Sequence, residues 1–149
     1  FTYLTGGVTG NATRNEGWDP MFYSQKLNNI VYAILPFSNM KVLNLKASMK
    51  PVEDVTLSAV YGYYDVAHRQ NAGTVITSPS TYDYGSTSTY NNSYTGENHL
   101  GDALDLTATY DYTEDVQFAL TGGMFKPGDG LSTNYATATQ VIGSMKVIF

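Results

Sequence analysis

Short segments of the chain alternate apolar side chains with small or polar ones, and longer polar segments separate them. The alternation is most regular from Leu100 to Tyr112, where Leu104 and Leu106 flank Asp105. Successive side chains of a β-strand point to opposite faces of its sheet, so such a segment predicts a strand with one apolar and one polar face. The pattern predicts an all-β fold of antiparallel strands joined by turns and loops.

Six strands are predicted from this alternation. They run over Phe1 to about Gly6, about Met40 to Lys50, about Val55 to Asp65, about Leu100 to Tyr112, a segment that begins at Val116, and the last nine residues from Val141 to Phe149. Their connections alternate between long and short, which is typical of outer-membrane barrels with long extracellular loops and short periplasmic turns. The first loop, residues 8–38, contains the apolar segment Ile30–Leu35. A strand there would put later turns on the wrong side of the membrane, so this segment is expected to fold against or into the barrel mouth.

The composition agrees with an antiparallel transmembrane β-barrel. Hydrophobic residues make up 42% of the chain and the mean hydropathy is -0.22, a balance that a barrel tolerates because half of each strand faces a wet lumen. The sequence has no run of about 18 apolar residues, which a spanning helix would need. The 13 tyrosines suit aromatic girdles at the two water–lipid boundaries. A net charge of -5 argues against a nucleic-acid partner, and the absence of cysteine suits the oxidising cell envelope.

The end of the chain carries a further indication. The last strand stops on Phe149 after apolar residues at alternate positions, including Val147 and Met145, and this ending resembles the recognition signal of bacterial outer-membrane proteins. The resemblance implies that Phe149 lies at the periplasmic rim and that the barrel assembly machinery binds this strand. Because the first strand is already under way at Phe1 and closed barrels need about eight strands, residues 1–149 are expected to be the C-terminal segment of one larger barrel domain.

Several short motifs occur in the order found in a known family. They are Gly6-Gly7, Glu16-Gly17-Trp18-Asp19-Pro20-Met21-Phe22, the hairpin arm from Asn44-Leu45 to Pro51, Leu100-Gly101-Asp102-Ala103-Leu104-Asp105-Leu106, and Phe125-Lys126-Pro127-Gly128. Together they resemble the C-terminal part of alginate-export-type outer-membrane porins. The resemblance implies a large monomeric barrel of about eighteen strands, of which this chain would be the last third. It also implies a constriction lined by many arginines, whereas this chain has only Arg14 and Arg69, both in predicted loops.

Charged and polar side chains on the predicted strands define a candidate pore lining. A charge that faces lipid near the midplane costs about 2–4 kcal/mol, so it must face the lumen or reach a rim. The predicted pore-lining residues are Lys46, Lys50, Asp105, Thr107, Asp111, Gln117 and Lys146. Two interpretations stay open: these charges set the field felt by a passing ion, or lysine and aspartate neutralise each other across adjacent strands.

Candidate chemistry is limited. His68 and His99 lie at loop–strand borders near acidic residues, which would suit a metal site or a barrel-wall hydrolase, but no spaced histidine pair or nucleophile motif accompanies them. Calcium could bind the acidic loop residues, which are Glu16, Asp19, Asp83, Glu97, Asp102 and Asp129, although no Asp-x-Asp-x-Asp-Gly loop is present. The sequence therefore predicts no enzyme, no catalytic residue, no cofactor and no metal.

The predicted function is a passive outer-membrane porin or channel for small or oligomeric hydrophilic solutes, with long extracellular loops that constrict its mouth. Its partners would be outer-membrane lipid and the assembly machinery. The alternative is a structural barrel that sheathes or docks a surface or periplasmic partner protein, such as a cytochrome or a surface-layer component, through loops rich in Tyr, Ser and Thr. An open channel predicts steady current across a bilayer, and a plugged sheath predicts almost none.

Overall fold

The computed structural model describes residues 1–6, 17–18, 27–35, 38–76, 92–131 and 136–149. In chain order the elements are β1 (Thr2–Leu4), α1 (Asn29–Ile34), β2 (Met40–Val52), β3 (Val55–Val66), β4 (Val75–Ile76), β5 (Asn92–Ser93), β6 (His99–Asp111), β7 (Val116–Pro127) and β8 (Ala138–Val147). Six strands form one sheet in the order β1-β2-β3-β6-β7-β8, and β4 pairs with β5 separately. The described residues therefore have the predicted all-β fold with one short helix.

Every neighbouring pair in the six-stranded sheet is antiparallel. Short turns join β2 to β3 and β6 to β7 at one end of the sheet, which we call the turn end. The longer connections lie at the opposite end, which we call the mouth. The backbone N–H of Ile148 donates to the carbonyl oxygen of Asp115 at 2.9 Å, so the last residues lie at the turn end. The alternation of long and short connections is confirmed.

The predicted bounds of two strands are wrong. β7 continues through Pro127, where the sequence predicts a loop from Lys126, because these two residues still pair with Asp102 and Gly101 of β6. β8 runs from Ala138 to Val147 instead of from Val141 to Phe149, whose side chain is exposed. Both differences have the same cause: hydrogen bonds to a neighbouring strand decide where a strand stops, and the alternation within one segment does not show that neighbour.

The outer face of the sheet is apolar, except for a rim of charged residues at the mouth. The register aligns apolar and small residues in rows across the strands, for example Ala47, Ala59, Leu106, Gly122 and Val141. Leu106 and Leu120 are 54% and 57% exposed on this face. A broad exposed surface of aliphatic side chains is unfavourable in water and is the usual outer surface of a barrel in lipid.

The opposite, inner face of the sheet is divided into two regions. Toward the mouth it is covered by α1, which contacts β6, β7 and β8. The buried apolar cluster in this region consists of Leu4, Ile30, Val31, Leu35, Met40, Val42, Tyr64, Val66, Tyr94, Leu100, Ala103, Phe125 and Leu131. We call this covered region, together with α1, the mouth half. The turn half is the remainder of the sheet, with both its faces, from the row of Ala47, Ala59, Leu106, Gly122 and Val141 to the turns, and its inner face is uncovered.

Helix α1 is formed by the apolar segment that the sequence places in the first loop. Ile30, Val31, Ile34 and Leu35 have the spacing of one helix face, and Ile30, Val31 and Leu35 are buried. The segment packs against the sheet near the mouth, as expected, but its helical conformation was not predicted. No helix in the described parts of the chain is long and apolar enough to cross a membrane.

Candidate functional site

Six of the seven predicted pore-lining residues lie on the inner face of the sheet. From the mouth toward the turns they are Lys46 in the same row as Asp105, then Thr107, and finally Asp111 with Gln117 and Lys146. Lys50 lies where the pairing of β2 with β3 shifts between Met49 and Val52, so its place on the inner face stays a prediction. This is the face that α1 covers in the mouth half. Their role in lining a pore stays a prediction, but the register gives those six residues a common side.

Polar side chains in the turn half interact mainly along their own rows. The Thr107 and Thr121 hydroxyls are hydrogen-bonded at 2.9 Å, and Gln117 Nε2 donates to Asp111 Oδ1 at 2.6 Å. Lys146 lies opposite Gln117. None of Lys46, Lys50 and Lys146 forms an ion pair with Asp105 or Asp111. No ion pair therefore joins a lysine to an aspartate among these residues, and both interpretations of their charges stay predictions.

Asp105 has a different environment from the other predicted lumen residues. It is only 5% exposed, because the segment that begins α1 lies over it. Its Oδ2 accepts a hydrogen bond from the backbone N–H of Asn29 at 2.7 Å and another from Asn28 Nδ2 at 3.2 Å. A buried carboxylate is costly unless it is hydrogen-bonded, so these two donors stabilise Asp105 and attach the segment to β6.

Asn28 connects the same segment to two further strands. Its side chain is buried, and Nδ2 also donates to the carbonyl oxygen of Val60 in β3 at 3.1 Å. Its Oδ1 accepts hydrogen bonds from Tyr64 Oη at 2.7 Å and from Asn44 Nδ2 at 3.1 Å. The two donor and two acceptor positions of the amide are all used. One side chain therefore joins the α1 segment to β2, β3 and β6.

Two glycines of the sheet allow this close approach. A Cβ atom at Gly62 would lie 2.5 Å from Asn28 Oδ1, and one at Gly123 would lie 2.7 Å from Asp105 Oδ1 and 3.5 Å from Ile30 Cβ. A larger residue at Gly62 would displace the Asn28 side chain, and one at Gly123 would displace the carboxylate of Asp105 that holds the segment. The absence of a side chain at these positions is the local reason that α1 can lie against the sheet.

His99 lies in a second polar cluster, on the outer face at the mouth. Its Nδ1 is 3.2 Å from Asp65 Oδ1 and its Nε2 is 3.2 Å from Asp102 Oδ2. Its ring stacks on Tyr63 with the ring centroids 4.4 Å apart, and the Tyr61 hydroxyl donates to Asp102 at 2.5 Å. Both imidazole nitrogens are occupied by carboxylates, so this cluster fixes the rim of the sheet and contains no serine or cysteine nucleophile.

The loops at the mouth are held together by Asn39. Its Oδ1 accepts from the backbone N–H of His68 at 2.8 Å, and its Nδ2 donates to the His68 carbonyl at 2.9 Å. His68 Nε2 lies 3.4 Å from the Tyr3 hydroxyl. Burial raises the pKa of Tyr94, which is part of the apolar cluster in this region. These contacts make the mouth a packed structure.

The described residues contain no group of three or more His, Cys, Asp or Glu side chains that could hold a metal ion. Of the acidic loop residues considered for calcium, Glu97 pairs with Arg69 at 3.5 Å and Asp102 interacts with His99. Glu16, Asp19 and Asp83 lie outside the described residues.

A family model described as alginate export matches residues 6–143 of the chain. The chain belongs to the alginate export family. No curated protein and no solved structure matches it. The alginate export family is a transport family, so membership indicates an outer-membrane channel. The match agrees with the resemblance seen in the short sequence motifs and covers most of the six-stranded sheet.

For this member of the alginate export family, sequence reasoning missed the residues that fix α1. The spacing of Ile30, Val31, Ile34 and Leu35 was a usable signal for the helix. No comparable signal identifies Asn28 or Tyr64, because their hydrogen bonds join segments that are far apart in the chain. The position of Asp105 in an alternating strand identified it as a candidate, but nothing in the sequence indicated that it would be buried.

Proposed function

We propose that this protein is a passive outer-membrane channel for small or oligomeric hydrophilic solutes, and that the six strands are one arc of its wall. The observation that carries the proposal is the difference between the two faces of the sheet. The outer face presents exposed Leu106 and Leu120, whereas the inner face of the turn half presents Thr107, Thr121 and Gln117. A wall with lipid on one side and water on the other requires this arrangement.

The charges on the inner face favour solutes that carry negative charge. Lys46, Lys50 and Lys146 form no ion pair with the inner-face aspartates. Asp105 is covered by α1, whereas Asp111 keeps its charge and accepts a hydrogen bond from the neutral amide of Gln117. The three lysines therefore outnumber the one uncovered aspartate, which lowers the energy of a passing anion. Membership of the alginate export family supports the same class of solute.

Single-channel recording from the purified native protein in a planar bilayer tests this function. We expect a steady current in symmetric salt, and a reversal potential in asymmetric salt that shows a preference for anions. A protein that inserts and resists proteolysis but carries no current would overturn the proposal.

That result would favour the second candidate, a structural barrel that docks a partner protein. The observation that supports this candidate is the packing of α1 on the inner face, which leaves no solvent path beside the wall at Phe125 and Tyr64, both buried. The two candidates differ in whether the remaining lumen conducts.

A further inference from the structure

We propose that the segment Leu27–Leu35 is the constriction of the channel and that Asp105 is the positioning residue that holds it against the wall. This inference rests on the proposed channel function. In this proposal the segment sets the diameter of the pore. Asp105 holds that segment in place and does not act as a charge exposed to passing ions.

Asp105 is hydrogen-bonded to the segment. Asp105 Oδ2 accepts two hydrogen bonds, and both donors, Asn29 N and Asn28 Nδ2, belong to the segment. Asp105 Oδ1 has no hydrogen-bond partner among the described residues. Among the described residues, the hydrogen bonds of this carboxylate are thus made with the segment, so Asp105 can hold the segment against β6.

Apolar side chains of the segment pack against the wall. Ile30, Val31 and Leu35 are buried in one cluster with Leu100 and Phe125 of the wall. The segment therefore projects from the wall into the space on the inner side of the sheet, and it covers the rows between Asp105 and the mouth. A solute on the inner side must pass this segment before it reaches the turn half.

Two carboxylates on the same strand have different hydrogen-bond partners. Asp105 and Asp111 both lie on the inner face of β6. Asp111 is bonded to Gln117, away from α1, whereas Asp105 is bonded to the segment itself. Substitutions at the two positions remove the same charge from the same side of the wall, but only the loss of the acceptor oxygen at Asp105 releases the constriction.

The experiment compares Asp105→Ala, Asp105→Asn, Asp111→Ala and Asp111→Asn in planar bilayers. Loss of hydrogen bonds to a charged acceptor lowers the ratio of docked to undocked segment by about 10-fold to 100-fold. We expect Asp105→Ala to raise the mean conductance and its fluctuations. Asp105→Asn keeps an acceptor oxygen and should stay close to the native conductance, and both Asp111 variants should change ion selectivity without widening the pore. Equal effects of Asp105→Ala and Asp105→Asn would show that charge alone matters and would overturn the proposal.

A disulfide provides an independent readout, because the chain has no cysteine of its own. A Cβ atom at Gly123 would lie 3.5 Å from Ile30 Cβ, which is within the range for a disulfide. In the Asp105→Ala background, which also removes the nearby carboxylate, Ile30→Cys with Gly123→Cys should cross-link under mild oxidation. The oxidised protein should return to the native conductance, and reduction should restore the higher one.

These outcomes separate the two proposals. Oxidation traps the segment each time that it docks, so failure of the cysteines to cross-link even after prolonged oxidation of the folded protein would overturn the docking of the segment, whatever the native channel conducts. Efficient cross-linking without any current in the native protein, in the Asp105 variants or after reduction would overturn the channel function and with it the constriction.

Discussion

The mouth half and the turn half of the sheet are built from the same strands but are stabilised differently. In the mouth half the inner face is closed by α1, and Tyr64, Leu100 and Phe125 are fully buried. In the turn half no side chain of the inner face is buried, and the outer face is also exposed. The mouth half therefore has the core of an ordinary globular domain, whereas the turn half depends on its hydrogen-bonded ladder and on its surroundings.

This difference shows how the sheet combines rigidity with permeability. A packed core fixes the position of the segment that narrows the lumen, because buried side chains tolerate little rearrangement. A wall without a core leaves room for water and solute beside it.

Arginine substitutions on the two faces of the turn half should have opposite outcomes. Leu106→Arg or Leu120→Arg places a charge toward hydrocarbon, at a cost of about 2–4 kcal/mol, and should prevent stable insertion. Thr107→Arg lies on the inner face and should insert normally. The folded fraction in outer-membrane preparations, measured by resistance to heat in detergent gels, distinguishes them. If all three variants insert equally well, the assignment of faces is incorrect.

Loss of an aromatic ring should be more costly in the mouth half than in the turn half. Phe125 is 1% exposed, and Phe125→Ala should lower the free energy of unfolding by about 3–5 kcal/mol. Phe118 is 41% exposed on the outer face, so Phe118→Ala should cost clearly less. Urea unfolding in lipid vesicles measures both. A similar cost for the two variants would mean that the mouth half has no distinct core.

Substitution of glycine by alanine should also cost more stability in the mouth half than in the turn half, with a smaller change in the free energy of unfolding. Gly101 has a φ of 145°, and a Cβ atom there would collide with the Phe125 ring and the Lys126 carbonyl, so Gly101→Ala should destabilise the protein by about 1–3 kcal/mol. A Cβ atom at Gly122 meets nothing within 4 Å, and Gly122→Ala should be neutral or stabilising by about 0.5–1 kcal/mol. Thermal unfolding of the two variants in the same detergent tests this. Destabilisation by Gly122→Ala would count against an open outer face.

The smallest effect is expected from charges on the turn half. Lys50→Glu or Lys146→Glu should shift the permeability ratio toward cations by about two- to fivefold at low salt, with little change in stability. Lys126→Glu is the matched control, because Lys126 lies on the outer face at the mouth. Reversal potentials in a salt gradient provide the measurement. A shift of the same size in the Lys126 variant would remove the case for a charged lumen wall.

The strands and their faces could be predicted because the information is local. Leu104, Asp105 and Leu106 alternate within one segment, and strand geometry converts this alternation directly into two faces. The order of the connections followed from their lengths, so the antiparallel arrangement was also predictable. The end of β7 was not, since it depends on pairing with Gly101 and Asp102 of another strand.

The candidate constriction could not be predicted because it depends on contacts between distant segments. Asn28 and Asp105 are 77 residues apart, and nothing near Asn28 in the chain indicates that its amide will be buried beneath Tyr64. The same holds for His99, whose partners Asp65 and Asp102 come from two strands. The residue types indicated which polar side chains could point inward. The register of the strands determined which of them lie in contact.

The edges of the sheet have a consequence for biogenesis. Within the described residues, β1 pairs with only Met40, Lys41 and Val42 of β2, and β8 has a neighbour on one side only. In hydrocarbon each unbonded peptide group costs several kcal/mol, so these strands are not expected to enter the bilayer as an isolated ribbon. We expect the peptide groups of the two edges to become paired as the sheet partitions into the bilayer, so that insertion and edge pairing occur together.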